Sequence, residues 1–328
     1  MTPVRVLMSA AARARAAESI ARIFAGRPHA FVSPGADADL AFVSRDVTGL
    51  STKHVVLPET QRFHDALLSA PSLRWVHVHS AGADRPVYCE LLQRGIRLST
   101  SSGANAEVVV QTALAGILAL ARRLPRLMEA QLRREWVPLV GAALPRDLAG
   151  QTALVVGWGP IGQGIAALLR ALGVGIAVAR SSGTPAGADV ETARYEEIDR
   201  LLPRADWLIL ACPLSSRTTG LVDAARIGLL PAGAHVVNVA RGAVLDEAAL
   251  LGALASGRVG GAHLDVFAHE PLASDSPLWS AANVIVTPHS AGHSDGNEER
   301  VRAAFLANLR RWLAGDALLH EVAPLNSP

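Results

Sequence analysis

The chain is poor in cysteine and in lysine. Its two cysteines, Cys89 and Cys212, stand far apart in 328 residues. Each is flanked by residues that read as buried or helix-forming, which excludes a disulfide framework and a zinc site and points to a reducing compartment. Lys53 is the sole lysine, the arginines are scattered through helical patterns, and the formal net charge is only +2. Without a basic run, nothing points to nucleic acid as a partner. No charged leader precedes the strand-like run Val4-Arg5-Val6-Leu7-Met8, and the Ala- and Leu-rich stretches are broken by Arg, Gly or Pro before they reach membrane-spanning length. A soluble, cytoplasmic protein is therefore expected. There is no repeat of solenoid period and no low-complexity tract. The histidines lack metal-ligand spacing: His77 and His79 would project from one strand face with no third ligand, so no metal is expected.

What the chain does have is apolar sequence, 50% of its residues, and at this length about two domains are expected. From Val4 to about Thr100, short apolar runs such as Ala41-Phe42-Val43, Leu73 to Val78 and Ile96-Arg97-Leu98 alternate with helical patterns, the rhythm of a parallel α/β unit. A long apolar helix pattern follows from near Asn105 to about Leu124, where Pro125 predicts a stop or kink. A second alternation places buried strands at Ala153 to Val156, Gly175 to Ala179, Trp207 to Ala211, His235 to Val239, Gly261 to Val266 and Val284 to Val286. The segment from Leu139 to Gly150 reads as an irregular loop. The last helical pattern, Asp295 to Ala314, carries Val301, Ala304, Phe305, Leu309 and Leu313 on one side and could return to the first block. The expectation is two doubly wound parallel-sheet α/β domains: a discontinuous first domain, 1-103 with 293-328, interrupted by a dinucleotide-binding domain, 104-292.

The clearest motif is Gly157-Trp158-Gly159-Pro160-Ile161-Gly162, placed between an apolar strand and a helical pattern. Gly157 permits the tight turn, Gly159 lets backbone approach a pyrophosphate, and Gly162 lets helix and sheet pack closely, while helix-start N–H groups attract phosphate. About 20 residues on, where NAD sites place an acid, the second strand ends in Arg180-Ser181-Ser182. A guanidinium with neighbouring hydroxyls suits a 2′-phosphate, so NADP(H) is expected in preference to NAD(H); stacking of Arg180 on adenine in either cofactor is the plainer reading.

Three polar groups fall at strand ends: Arg241, Glu270 and His289. Such a set suits hydride transfer to a 2-oxo acid. A cation holds the carboxylate and polarises the carbonyl, an imidazolium gives the alkoxide its proton, and a carboxylate orients that imidazole. Alone, each has a plainer reading, as a surface ion-pair partner, a turn residue or a satisfied buried histidine.

The chain resembles the D-isomer-specific 2-hydroxyacid dehydrogenases. The likeness rests on the glycine motif, Cys212-Pro213-Leu214 with Thr218, Asn238-Val239-Ala240-Arg241-Gly242, Leu264-Asp265-Val266-Phe267, Glu270-Pro271-Leu272, Pro277-Leu278-Trp279 and Thr287-Pro288-His289-Ser290-Ala291-Gly292. The resemblance implies a flavodoxin-like substrate domain interrupted by a Rossmann cofactor domain, usually in a homodimer built on the latter. It implies that Arg241 binds substrate, that His289 is the acid/base and that Glu270 hydrogen-bonds it. Asp265 would hold the nicotinamide carboxamide. Gly157, Gly159, Pro160, Ile161, Gly162, Arg180, Ser181, Cys212, Pro213, Thr218, Ala240 and His289 would lie along the cofactor, and Ala81 and Gly82 in Ser80-Ala81-Gly82-Ala83-Asp84 would bind the substrate carboxylate through backbone N–H groups. The chain departs from the family at Val109-Val110-Gln111, where Val-Ala-Glu is usual. Glyoxylate or hydroxypyruvate reduction is the leading expectation. A cofactor-sensing corepressor and a formate- or phosphite-type dehydrogenase on the same fold are the alternatives. Side-chain preference is expected from the surface around His54, His77 and Ser80 and from loops near Trp136 and Trp279, although either tryptophan is more often a packing residue.

Overall fold

A computed structural model describes residues 2–323, apart from the side chain of Ala142. The last five residues of the expected first domain, 324–328, lie outside the described residues. The chain divides into two compact units, Met1–Asn105 with Ser294–Pro328, and Ala106–His293.

The first unit is built on five parallel strands, β1 (Val4–Met8), β2 (His29–Val32), β3 (Leu40–Val43), β4 (Trp75–Val78) and β5 (Arg97–Thr100). Their order is β2-β1-β3-β4-β5, the flavodoxin-like arrangement. β3 and β4 are buried at every position, which is why they read as continuous apolar runs. Helix Ala10–Phe24 starts where the Ser9 side chain accepts from the Ala12 N–H at 3.0 Å, satisfying an otherwise orphan donor. It buries Ala12, Ala16, Ile20 and Phe24, four residues apart. The C-terminal helix Asn297–Ala314 buries Val301, Phe305 and Leu309 in the same cluster, and Phe305 stacks on Phe42 with ring centroids 4.5 Å apart. That contact returns the chain's last helix to the unit where it began. On the other face, helices Pro58–Ser69 and Pro86–Gln93 each open with a proline and bury Phe63, Leu67 and Leu91, proline being tolerated where the N–H has no intrahelical partner.

The second unit opens with helix Ala106–Ala121, followed by Leu124–Leu132 at a bend of 70°. The predicted break at Pro125 is found, displaced to Arg122 and Arg123, and Arg123 takes a left-handed φ of 54°. Among the described residues no single helix is long and apolar enough to cross a membrane. Seven parallel strands follow: β6 (Thr152–Val156), β7 (Gly175–Arg180), β8 (Glu191–Arg194), β9 (Trp207–Leu210), β10 (Ala234–Asn238), β11 (Val259–Leu264) and β12 (Val284–Val286). Their order is β12-β11-β10-β9-β6-β7-β8. The order reverses between β6 and β9, the switch point at which open α/β sheets bind ligands beyond their carboxyl ends. Six of the seven strands coincide with the expected runs; β8, at the sheet edge, was not expected, because only Ala193 of its four residues is buried. The 139–150 segment is irregular but for one 3-10 turn, Gly141–Ala143.

Candidate active site

At the switch point the chain leaves β6 through a turn that only glycine permits. Gly157 has a φ of 103°, and a Cβ there would stand 2.6 Å from the Ala211 carbonyl oxygen and 2.7 Å from Cys212 Cα. A Cβ on Gly162 would stand 2.1 Å from the Gly157 oxygen, so its absence lets the helix Pro160–Ala171 begin directly over the turn. Around Gly159 the opposite holds: a Cβ would meet nothing within 4 Å, leaving clear space in front of that helix start. The first intrahelical bond runs from Gln163 N–H to the Gly159 oxygen at 3.0 Å. The earlier N–H groups of Ile161 and Gly162 thus face forward as donors at the positive end of the helix dipole. A dinucleotide pyrophosphate fits this cradle in shape and in charge.

Three loops at the carboxyl ends of β10, β11 and β12 carry Arg241, Glu270 and His289. After β10, the buried Asn238 accepts from the Ala240 N–H at 3.0 Å and donates to the Arg241 carbonyl at 3.1 Å, fixing the turn that presents Arg241. Arg241 Nη1 donates to the Ala240 oxygen at 2.7 Å. After β11, Glu270 Oε1 accepts from the Phe267 N–H at 3.1 Å, and Oε2 lies 2.7 Å from His289 Nδ1. Burial alone would raise the Glu270 pKa. The hydrogen bond and charge of His289, the Phe267 N–H and the Arg241 charge outweigh it and hold the carboxyl below its ordinary value. Gly242 brings the first two loops together, since a Cβ there would stand 1.9 Å from the Phe267 carbonyl carbon.

His289 itself occupies a left-handed backbone conformation, φ 49°, unusual for a residue with a side chain. Its N–H donates to the Asp265 oxygen at 2.8 Å and to the Thr287 oxygen at 2.9 Å, which holds the strained geometry. The Asp265 carboxylate fixes the same loop. It accepts from the Thr287 hydroxyl at 2.6 Å and from the N–H groups of Ser290 and Ala291 at 2.9 and 3.0 Å. With Nδ1 engaged by Glu270, the half-exposed imidazole has Nε2 left to exchange a proton.

Other expected positions behave differently. The Thr218 hydroxyl is fully buried, donating to the Pro213 oxygen at 2.7 Å and accepting from the Ser215 N–H at 2.8 Å, so it shapes the loop while Pro213 stands exposed. Cys212 is buried and its thiol is pushed up to about 12 by burial, which makes it a small apolar residue and not a reactive thiol. Ala240 is buried, while Arg180 ends β7 and the exposed Ser181 follows it. Arg180 has Arg194 of β8 as its register partner.

In the first unit, Ala81 and Gly82 lie in the turn after β4, where the Ser80 hydroxyl donates to the Gly82 oxygen at 2.7 Å. His77, expected near substrate, is instead a core residue. It is fully buried between the hydroxyls of Ser99 and Ser101, at 2.8 and 3.0 Å, and burial pushes its pKa down to about 3. Trp136, expected as packing, is 96% exposed. Asn238, Gly242 and Thr287 were legible only as members of longer motifs, and their work of joining loops needed coordinates to be seen.

Residues 114–291 match the family described as D-isomer specific 2-hydroxyacid dehydrogenase, NAD binding domain. The chain is 32% identical over 286 residues to glyoxylate/hydroxypyruvate reductase B of Klebsiella pneumoniae subsp. pneumoniae, covering 86% of this chain and 88% of that protein. It is 32% identical over 252 residues to D-3-phosphoglycerate dehydrogenase of Mycobacterium bovis, covering 77% of this chain and 47% of the relative. Among solved structures, a D-isomer specific 2-hydroxyacid dehydrogenase from Xanthobacter autotrophicus Py2, in complex with NADPH and MES, superposes with a TM-score of 0.76 at 28% identity, over 99% of both chains. Two parallel α/β sheets, a glycine cradle at the switch point and these matches agree: the chain belongs to the D-isomer specific 2-hydroxyacid dehydrogenases and is a nicotinamide-dependent oxidoreductase.

Proposed function

We propose that the protein reduces small 2-oxo acids, glyoxylate and hydroxypyruvate foremost, with NADP(H) preferred to NAD(H). The observation that carries this reading is the 2.7 Å bond between Glu270 Oε2 and His289 Nδ1 beside the Arg241 turn. Arg241 binds the substrate carboxylate and polarises the 2-oxo group, its planar fork suiting a carboxylate. His289 delivers its Nε2 proton to the carbonyl oxygen as that oxygen gains charge, and Glu270 holds the ring and stabilises its protonated form. When bound, the reduced nicotinamide supplies the hydride. Asp265 positions His289 through the loop bonds described above. In the first unit, the N–H groups of Ala81 and Gly82 bind a carboxylate.

The preference for NADP(H) is supported by Arg180 and its register partner Arg194, two guanidinium groups at the ends of adjacent strands. Gly157, Gly159, Pro160, Ile161, Gly162, Ser181, Cys212, Pro213 and Ala240 form the walls of the cofactor site. We place the protein in the cytoplasm, consistent with the free thiols of Cys89 and Cys212. A homodimer is supported by exposed apolar residues on the second unit. Leu124, Met128 and Leu132 lie four residues apart on the helix Leu124–Leu132, and Trp136, Val140 and Leu144 follow it in sequence, all at least 44% exposed; exposed apolar residues so concentrated mark an interaction surface.

The test is steady-state oxidation of NADPH and NADH with glyoxylate, hydroxypyruvate, pyruvate and 2-oxobutanoate. Turnover of the first two with a lower KM for NADPH is expected. Absence of turnover with every acid, from protein that binds NADPH, refutes the reading, and a lower KM for NADH refutes the cofactor preference.

A further inference from the structure

Behind the loop that carries His289 lies a second histidine. His263 stands on β11, between Val237 of β10 and Ile285 of β12, and is fully buried. Its ring packs on the helix Ala106–Ala121 at Gly116, where a Cβ would stand 2.1 Å from Nδ1 and 2.5 Å from Cγ. Glycine in a helix interior is less stable than alanine. Here it is what admits the imidazole.

The other edge of the ring meets the loop of His289. His263 Nε2 lies 3.3 Å from the Thr287 hydroxyl, which lies 2.6 Å from Asp265 Oδ1. A carboxylate only accepts, so the Thr287 proton points to Asp265 and the Thr287 oxygen is left to accept. His263 therefore donates from Nε2. Burial lowers the His263 pKa, with the Asp265 charge opposing, and the neutral ring carries a single proton. With that proton on Nε2, Nδ1 is left as an acceptor, and among the described residues it has no hydrogen-bond partner. In the opposite tautomer Nε2 would itself accept and draw the Thr287 proton away from Asp265. The buried carboxylate would then keep only the Ser290 and Ala291 N–H groups among the described donors, and a buried carboxylate short of a donor is costly.

We propose that His263 is a positioning residue for the acid/base step: as the Nε2–H tautomer it turns the Thr287 hydroxyl onto Asp265 and so holds the backbone from His289 to Ala291. The proposal rests on the reading of His289 given above. The Asp265 carboxylate receives the Ser290 and Ala291 N–H groups, and the Asp265 carbonyl receives that of His289 at 2.8 Å. Donors arranged in series polarise one another, so the first donor strengthens the last contact. His263 touches neither substrate nor cofactor in this scheme and acts through the loop alone.

The experiment reads kcat and KM for glyoxylate with NADPH in the wild type, His263→Gln, His263→Leu and Thr287→Val. Glutamine can place an amide N–H where Nε2 stood, and leucine fills the space without a donor. His263→Leu is expected to lose about tenfold in kcat, the worth of one hydrogen bond, and His263→Gln to stay within about threefold of the wild type. KM should move by less than about twofold in both, because the relay acts on the transition state. Thr287→Val cuts the relay at its next link, so adding His263→Leu to it should cost nothing more. A second arm needs no turnover: NMR of the full chain carrying isotope-labelled histidine, with the His263 signals assigned by their loss in His263→Gln, and amide exchange at Ser290 and Ala291. The Nε2–H tautomer is expected in the wild type, with exchange faster in His263→Leu than in the wild type or His263→Gln. An Nδ1–H tautomer, equal kinetics in His263→Gln and His263→Leu, losses that multiply in the double variant, or unchanged exchange in His263→Leu overturns the inference. If no 2-oxo acid is turned over, the substrate reading falls and the second arm still decides whether His263 holds the loop.

Discussion

Replacing Gly242 by alanine adds one methyl group to a residue that presents no functional group of its own. A Cβ at 242 would stand 1.9 Å from the carbonyl carbon of Phe267, 2.1 Å from its oxygen and 2.3 Å from the Ala268 nitrogen. All three are backbone atoms and cannot rotate away. Ordinary contact begins at 3.4 Å, so the loop after β10 and the loop after β11 must part by about 1.5 Å. The first loop carries Arg241 and the second carries Glu270, which orients His289. Displacement of catalytic groups by about 1 Å costs on the order of 100-fold in rate, and overpacking of this kind costs about 1–3 kcal/mol. At about 2–4 °C per kcal/mol, Tm should fall by about 2–12 °C. Gly242→Ala should therefore lose about 100-fold in kcat/KM. The control is Gly252→Ala, in the helix Glu247–Ala255, where a Cβ meets nothing within 4 Å and should stabilise by about 0.5–1 kcal/mol. Wild-type kinetics in Gly242→Ala would refute the idea that close backbone contact assembles this site.

Glu270→Gln keeps an acceptor for the Phe267 N–H but removes the charge beside His289. Losing a charge-assisted bond to a half-exposed ring should lower kcat by about 5–30-fold with KM nearly unchanged, and an unaltered kcat would remove Glu270 from the proton-transfer machinery. Acid should destabilise the first unit through its buried histidines. His77 is held down at about 3 and His64 at about 4, both by burial. Their folded-state values lie below the unfolded value of 6.5, so their stabilising effect is complete above that pH and is lost as pH falls from 6.5 toward 4. With about 1.4 kcal/mol per histidine, the slope approaches about 3 kcal/mol per pH unit, measurable by urea unfolding; His77→Gln should flatten it. Cys212 should stay unreactive to a thiol-disulfide reagent at pH 8 in the native protein and react only after unfolding, whereas rapid native labelling at this position would contradict its buried, neutral state. Trp136→Glu should shift sedimentation from dimer to monomer, and an unchanged dimer would place the contact elsewhere.

The sequence by itself determined the alternation of apolar strands and helices, and the places where buried parallel strands could form, because residues buried on both faces must be apolar throughout. It also determined the glycine turn, since only glycine tolerates a φ of 103° against the Ala211 backbone. Edge strands stayed hidden for the converse reason: β8 buries a single side chain, so no pattern announces it. Arg241, Glu270 and His289 were legible as strand-end residues, but no local signal says that they meet. Only the tertiary structure decided that Gly242 presses one loop onto another and that Asp265 braces the loop of His289. It also decided that His77 belongs to the core. Strand propensity and turn chemistry act over a few neighbouring residues, whereas hydrogen-bond partners, desolvation and charge balance depend on groups brought together from distant parts of the chain.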